Sequence, residues 1–278
     1  MALVSYTWRT FGRELTLLGI AAIWWIPFYL LIVTALRPDT DSAVNPFSLP
    51  SSFSAQNFSA AWRGASVSMG HSLVSSLIIT LGSVLLILAL GSVCAYTIAQ
   101  RTGWFGNALY GFFLLGIIVP FQLGVVPMFV ALQHLGLTGN YLGMILLYTG
   151  ILMPLAVFLY TGFVRALPKE YEEAAVVDGA SRFRIFVRVI FPLMLPVTGT
   201  VAVLVGMSVW NDFFTQLVML GGSGNETVPV AIYSFVGQYT SQFNVIFAAV
   251  VISLIPMLVF FLLAQRTLIR GFTGGIRG

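Results

Sequence analysis

The sequence predicts an all-α, polytopic membrane protein with six transmembrane helices and a charged helix–turn–helix loop on the cytoplasmic side. Its 278 residues are 58% hydrophobic and 8% charged, with a mean hydropathy of +0.96, whereas soluble domains carry about 25% charged residues. Six long windows contain no Asp, Glu, Lys or Arg. Of the thirteen basic and nine acidic residues, nine lie between Arg165 and Arg188, so the charge of the chain is concentrated in one segment.

Six apolar windows are long enough to cross a bilayer, which takes about 20 residues of helix. In chain order they are Leu15–Leu36, Leu73–Ile98, Trp104–Leu132, Asn140–Val164, Pro192–Asn211 and Asn244–Gln265. Because lipid offers the backbone no hydrogen-bonding partner, each window is predicted to be a helix, and prolines inside a helix bundle are tolerated as kinks. The first window is longer than a signal-peptide core of about 7–15 residues, so we expect it to be retained.

The distribution of lysine and arginine predicts which side of the membrane each connection faces, because basic residues accumulate in cytoplasmic loops. With the amino terminus inside, two, one, five and three basic residues fall in the four inner segments, which are residues 1–14, 99–103, 165–191 and 266–278. The outer segments hold only Arg37 and Arg63. The chain is therefore predicted to have a cytoplasmic amino terminus (1–14), a transmembrane domain (15–265) with one large cytoplasmic loop (165–191), and a cytoplasmic carboxyl-terminal tail (266–278).

The chain lacks the groups that several other classes of protein need. Ion-driven carriers usually place ionisable side chains inside the membrane, and the six windows have none. A phosphate-binding loop needs glycines ahead of Lys-Ser or Lys-Thr, but the single lysine, Lys169, precedes Glu170. Cys94 and the separated His71 and His134 do not suggest a metal cluster, and no basic patch interleaved with aromatic residues predicts nucleic-acid binding. Energy for uphill transport would therefore come from another protein.

The charged loop is predicted to form two short helices joined by a glycine corner. Pro168 favours a first helical turn. The helix dipole stabilises the glutamates that follow it, which are Glu170, Glu172 and Glu173. Gly179 is expected to end that helix in a left-handed conformation, and Ser181 to cap the second helix, residues 182–191.

The second of these helices is predicted to be amphipathic. Its apolar stripe consists of Phe183, Phe186, Val187 and Ile190, and its basic stripe of Arg184 and Arg188. One interpretation is that the loop lies at the lipid headgroups, as basic amphipathic helices do. The alternative is a docking element, because the small Ala174–Ala175 pair and Gly179 leave room for a partner's backbone and the acidic cluster suits a protein.

The loop also carries a recurrent pattern, in which Glu-Ala-Ala is followed after three residues by Gly and after nine more by Ile-x-Leu-Pro. Here it is Glu173-Ala174-Ala175, Gly179 and Val189-Ile190-Phe191-Pro192. With this pattern the sequence resembles the permease subunits of bacterial binding-protein-dependent ABC importers. Two replacements, Val189 for Ile and Phe191 for Leu, are apolar.

Other segments resemble the carbohydrate-uptake branch of that family. They are Ile118–Leu146, WNDFF at Trp210–Phe214, TVPVAIYSF at Thr227–Phe235, and QRTLIRGFTGGIRG at Gln265–Gly278, which is similar to the tail of MalG-like subunits. The second span usually begins with Asn-Ser in the family, whereas here it begins with His71-Ser72.

The resemblance implies an assembly in the bacterial plasma (inner) membrane. Two permease subunits, expected to be different chains, would form the pathway above a dimer of ATPase subunits that holds ATP and magnesium, and an extracytoplasmic solute-binding protein would deliver a sugar. This chain would then be no enzyme and hold no cofactor. The residues implied in docking to the ATPase are Glu173, Ala174, Ala175, Asp178, Gly179 and Arg182.

The residues of the sugar path are predicted from side-chain chemistry and not from a sequence motif. Sugars need hydrogen-bonding side chains, and the candidates in or beside spans are Gln122, Asn140, Tyr148, Asn211 and Asp212. Each also fits a helix–helix hydrogen bond or an interfacial position. Alternative functions are an ion-coupled or facilitative carrier acting alone, an ABC permease for a glycerophosphodiester or a peptide, and a membrane-embedded enzyme, for which the spans offer no acid, base or nucleophile.

Overall fold

The structure, a computed structural model, describes residues 8–38, 47–101, 103–236 and 243–274. The regular secondary structure of these residues is helical, which confirms the predicted all-α class. Arg277, used above to orient the tail, lies outside the described residues, as does the part of the outer loop at 237–242. The chain divides into two compact units.

The first unit consists of residues 1–69 and 232–255. Its helices are α1 (Trp8–Leu36), α2 (Gln56–Arg63) and the first part of α13 (Phe243–Gly274). The Asn57 side chain on α2 donates from Nδ2 to the carbonyl oxygens of Ala35 (2.9 Å) and Arg37 (2.8 Å). These carbonyls lie at the end of α1 and have no partner within that helix, so Asn57 stabilises its carboxyl terminus.

The second unit consists of residues 70–231 and 256–278. Its long helices are α3 (Met69–Ala99), α4 (Trp104–Ile118), α5 (Val125–His134), α6 (Tyr141–Ala166) and α10 (Leu195–Asn211). Its shorter elements are a 3₁₀ turn (Phe121–Gly124), α7 (Glu170–Val177), α8 (Arg182–Ile185), a π-helical turn (Phe186–Ile190), α9 (Phe191–Leu193), α11 (Phe214–Leu220) and α12 (Val228–Tyr233).

Small residues let these long helices pack closely in the second unit. A Cβ atom at Gly82 on α3 would lie 2.5 Å from Cδ1 of Ile145 on α6, and one at Gly116 on α4 would lie 2.8 Å from Cγ of Pro154. Transmembrane helices associate through such close backbone approaches because lipid provides no hydrophobic driving force between them. Helix α6 is therefore a shared packing surface for α3 and α4.

Four helices of the described residues are long and apolar enough to cross a membrane, and two bent helix pairs raise the number to six if each pair is one span. The third window is predicted as one helix with tolerated proline kinks, but the structure breaks it into two helices. Helix α4 ends at Ile118, and the chain turns through 86° before continuing as the 3₁₀ turn and α5. Val119 is extended (φ −73°, ψ 119°) because Pro120 disfavours the helical conformation of the residue before it.

The fifth window is also bent, and it starts later than predicted. The helical stretch from Arg182 to Leu193 meets α10 at 74°, and α10 begins at Leu195 rather than at Pro192. Pro196 has no N–H to donate to the carbonyl four residues earlier, which favours a bend at this point. Prolines 27, 154 and 256, by contrast, lie inside α1, α6 and α13.

Candidate functional site

The charged loop between α6 and α10 has the two-helix form that the sequence predicts. Helix α7 carries its glutamates in the first turn, where the positive end of the helix dipole stabilises negative charge. At its end Gly179 adopts φ +75°. Its N–H donates to the Val176 carbonyl (2.9 Å), and the Ala180 N–H donates to the Ala175 carbonyl (3.0 Å). This pair of bonds is a Schellman motif, which confirms the predicted left-handed cap.

The second helix begins as predicted, but its buried face differs from the expected stripe. The Ser181 hydroxyl accepts a hydrogen bond from the Arg184 N–H (3.4 Å). Phe186 and Ile190 are buried, whereas Phe183 is 76% exposed and Val187 is also exposed. The turn from Phe186 to Ile190 is π-helical, and this wider turn rotates the residues after Phe186, Val187 among them, relative to a 3.6-residue period. Phe183 lies before that turn, in the short helix α8, whose buried residue is Ile185.

The outward surface of the loop combines apolar and charged side chains. Val177 is 86% exposed and Val176 and Phe183 are also exposed, all close to the glycine corner. Large apolar side chains exposed together on a polar segment mark an interaction surface more often than a free one. We call the exposed residues of this corner the loop tip: Val176, Val177, Asp178, Gly179 and Phe183.

The structure brings the docking candidates together on this loop. Glu173, Ala174, Asp178, Gly179 and Arg182 are exposed, while Ala175 is half-buried. Ala175 packs against the hydrophobic core of the second unit, as does Ala180. The loop therefore has one face fixed to the helix bundle and one face free for contact.

The five candidates for the sugar path do not form one cluster of free groups. Asn140 caps α6, where its Oδ1 accepts from the Gly143 N–H (2.8 Å). Asn211 donates to the Met207 carbonyl of its own helix (2.9 Å) and is exposed. Gln122 lies exposed in the 3₁₀ turn at the bend after α4.

Tyr148 and Asp212 form a pair that joins α6 to the end of α10. The buried Tyr148 hydroxyl donates to Oδ2 of Asp212 (2.9 Å), whose Oδ1 accepts from the Thr215 N–H (3.3 Å). These contacts fix the turn between α10 and α11.

Sequence reasoning missed the polar residues next to this pair. Gln216, buried on α11, donates from Nε2 to the Val209 carbonyl (2.7 Å) and accepts from the Thr227 hydroxyl. The Ser76 hydroxyl on α3 accepts from the Val228 N–H at the start of α12 (2.9 Å). No local pattern marks these residues, because their partners lie on other helices. We call Ser76, Tyr148, Asp212, Gln216 and Thr227 the polar junction.

Metal binding has no support in the part of the chain that the structure describes, where no three His, Cys, Asp or Glu side chains are grouped to hold an ion. The chemistry that the loop and the polar junction offer is hydrogen bonding, charge and apolar contact. These are the interactions by which a protein surface can bind and position a partner.

Comparisons with known proteins place the chain in a family. Residues 87–274 match the family described as binding-protein-dependent transport system inner membrane component. The melibiose/raffinose/stachyose import permease protein MelC of Bacillus subtilis is 34% identical over 95% of this chain and 95% of its own length. The probable starch degradation products transport system permease protein AmyC of Thermoanaerobacterium thermosulfurigenes is 33% identical over 94% of this chain and 95% of its own.

The fold is similar to that of a solved chain from a bacterial ABC transporter involved in the import of the acidic polysaccharide alginate. The TM-score is 0.79 at 20% identity, with 96% of this chain and 99% of that chain covered. The same kind of transporter in complex with an alginate pentasaccharide-bound periplasmic protein gives a TM-score of 0.65 at 16% identity, over 93% of this chain and 96% of that one. With its long apolar helices and its matched sequence, the chain belongs to the family of binding-protein-dependent transport system inner membrane components and is a multi-pass membrane protein.

Proposed function

We propose that this chain is the permease subunit of an ATP-driven sugar importer and forms half of its translocation pathway. The observation that carries the proposal is the loop tip, an exposed apolar and charged surface on a chain that has no phosphate-binding loop of its own. The names of MelC and AmyC support sugars as the substrate class. A carrier acting alone is disfavoured, because its loops would need no such surface.

The proposal assigns three kinds of partner. A second permease subunit, a different chain, completes the pathway. A dimer of ATPase subunits binds ATP and magnesium on the cytoplasmic side. An extracytoplasmic solute-binding protein delivers the sugar, and the outer segment that includes α12 is the surface nearest to it. Both termini and the charged loop then lie in the cytoplasm, as the excess of basic residues in those segments requires.

Docking of the ATPase would use both physical features of the loop. Glu173, Asp178 and Arg182 provide charge for pairing with the ATPase surface, and Ala174 and Gly179 leave space for its backbone. The apolar side chains of Val177 and Phe183 would lose their contact with water, which favours association by about 25 cal/mol per Å² of apolar area removed from water. Because Phe186 and Ile190 are buried in the core, a displacement of the loop moves the helices that hold it.

The sugar path is proposed to run past exposed polar side chains in the second unit. Gln122 and Asn211 are exposed and have amide groups that suit sugar hydroxyls, and the one internal bond that Asn211 makes, to the Met207 carbonyl, uses only its amide nitrogen. Asn140, Tyr148 and Asp212 are less exposed and make internal hydrogen bonds to other parts of the chain. We therefore assign Gln122 and Asn211 to sugar contact and the other three to shaping the path.

The test is co-expression of this chain with its second permease and its ATPase, followed by two measurements. Glu173→Ala should reduce co-purification of the ATPase and the uptake of radiolabelled melibiose or raffinose by about tenfold, which corresponds to a lost charge-assisted contact. Glu170→Ala, three residues earlier on the same helix, is the matched control and should do neither. Uptake by the chain without any ATPase would contradict the proposed ATP-driven transport. Uptake limited to solutes other than sugars would contradict the proposed substrate class.

A further inference from the structure

The carboxyl-terminal end of α3 contacts the charged loop through an unusual polar pair. The Gln100 side chain, just after α3, donates from Nε2 to both carboxylate oxygens of Glu172 on α7. The two residues are 72 positions apart in the chain. A hydrogen bond to an ionised carboxylate is about twice as strong as one between neutral groups, so this is the stronger kind of tie between α3 and the loop.

A second residue of α3, Tyr96, contacts the charged loop from one helical turn before Gln100. Tyr96 and Gln100 are four residues apart and share one face of the helix. The Tyr96 ring packs against the Phe186 ring at a centroid distance of 5.2 Å. The end of α3 thus contacts both helices of the loop, α7 through Glu172 and the second helix through Phe186.

Helix α3 is not joined to the loop by the chain, since α6 leads into the loop and α10 follows it. It is 31 residues long, which corresponds to about 46 Å at 1.5 Å per residue. Near its other end, the Ser76 hydroxyl accepts from the Val228 N–H of α12. One continuous helix therefore joins the charged loop to the polar junction.

We propose that Glu172 is a positioning residue that ties the loop to α3 through Gln100, so that movement of the loop is passed to α3. The inference rests on the proposed function. It assigns different roles to two neighbouring glutamates. Glu173 is exposed and accessible to the ATPase, whereas Glu172 is half-buried and bonded to Gln100. Helix α3 then acts as a transmitting element between the ATPase side and the outer side of the protein.

The test exchanges the two groups of the pair in the assembled complex of this chain, its second permease and its ATPase. Gln100→Glu places two carboxylates together and should break the tie. The double variant Gln100→Glu/Glu172→Gln restores a carboxylate and an amide with their positions exchanged and should re-form it. Glu170→Gln, an exposed glutamate on the same helix, is the matched control.

The first measurement is hydrogen–deuterium exchange of α7 and of residues 96–101 in the presence and absence of magnesium and ATP. In the wild-type complex both segments should change. In Gln100→Glu the change in α7 should remain, and the change in residues 96–101 should fall by about threefold, the effect expected when one solvent-accessible contact to a carboxylate is lost. The double variant and the control should behave as the wild type.

The second measurement is the number of radiolabelled melibiose molecules taken up per ATP hydrolysed, which should fall by about threefold in Gln100→Glu and recover in the double variant. A response of residues 96–101 that is the same in Gln100→Glu as in the wild type would overturn the inference, and so would failure of the double variant to recover. Either of these two results would leave the proposed permease function unaffected. If magnesium and ATP leave α7 unchanged in the wild-type complex, it is the docking of the ATPase that is wrong.

Discussion

The loop tip and the polar junction use polar residues in opposite ways. At the loop tip, Asp178 and its neighbours are exposed beside exposed apolar side chains. At the polar junction, Gln216 and Thr227 are buried and bonded to each other. Buried polar groups in a bilayer protein must be satisfied internally, whereas exposed groups at a membrane surface are available to partners. The comparison teaches that the loop tip is built for association and the polar junction for holding helices in place.

Between the two compared regions, the larger effect on stability is expected at the polar junction. Gln216→Leu removes the partner of the Val209 carbonyl and of the Thr227 hydroxyl, both in a buried setting. The free energy of unfolding should fall by about 2 kcal/mol, because each unsatisfied buried group costs roughly 1–3 kcal/mol. Unfolding in mixed micelles with increasing SDS measures the change. Gln122→Leu, at an exposed glutamine, is the control, and equal stability of the two variants would break the comparison.

The next largest effect is expected at the glycine corner of the loop tip, where a substitution should weaken binding of the ATPase. Gly179→Val forces a β-branched residue into φ +75°, at a cost of roughly 1–2 kcal/mol. The space around Gly179 is open, so the effect comes from the backbone and not from a clash. We expect less ATPase to co-purify with the chain, measured by quantitative immunoblotting. Gly179→Asn is the control because asparagine tolerates the left-handed region, and a similar loss in both variants would contradict this reasoning.

A smaller effect is expected for the pair that joins α6 to α10. Tyr148→Phe removes only the hydroxyl that donates to Asp212 and should lower the free energy of unfolding by about 1 kcal/mol. Asp212→Asn keeps one oxygen to accept from the Thr215 N–H, and its amide nitrogen can donate to the Tyr148 hydroxyl, which is then the acceptor. It should therefore cost less, as measured in the same SDS titration. The opposite ranking of these two variants would show that the charge of Asp212 matters more than its hydrogen bond.

The smallest effect on stability is expected at the loop tip, together with a clear effect on association. Phe183→Ala should change the free energy of unfolding by less than about 0.5 kcal/mol, since the side chain is 76% exposed. It should nevertheless weaken binding of the ATPase, measured by co-purification. Phe186→Ala is the matched control on the buried face and should cost about 3 kcal/mol. A large loss of stability in Phe183→Ala would place that ring inside the protein and sink the distinction between the two faces.

Much of the fold and of the candidate site is predictable because its causes are local. The apolar windows follow from composition alone, and Gly179 and Ser181 form the caps that their residue types favour. The bends in the third and fifth spans are harder to predict from the sequence, although Pro120 and Pro196 lie where the bends occur. Prolines 27, 154 and 256 do not break their helices, so the residue type does not decide the outcome without its packing.

The sequence alone determined the class of the protein, the apolar spans and the helix–glycine–helix form of the charged loop, because each depends on neighbouring residues and on the properties of lipid. Only the tertiary structure decided that Phe186 is buried while Phe183 is exposed, and that Gln100 meets Glu172 and Gln216 meets Thr227. The physical reason is that these outcomes depend on which surfaces of distant helices come together in the folded chain. Residues 72 positions apart carry no local pattern that pairs them.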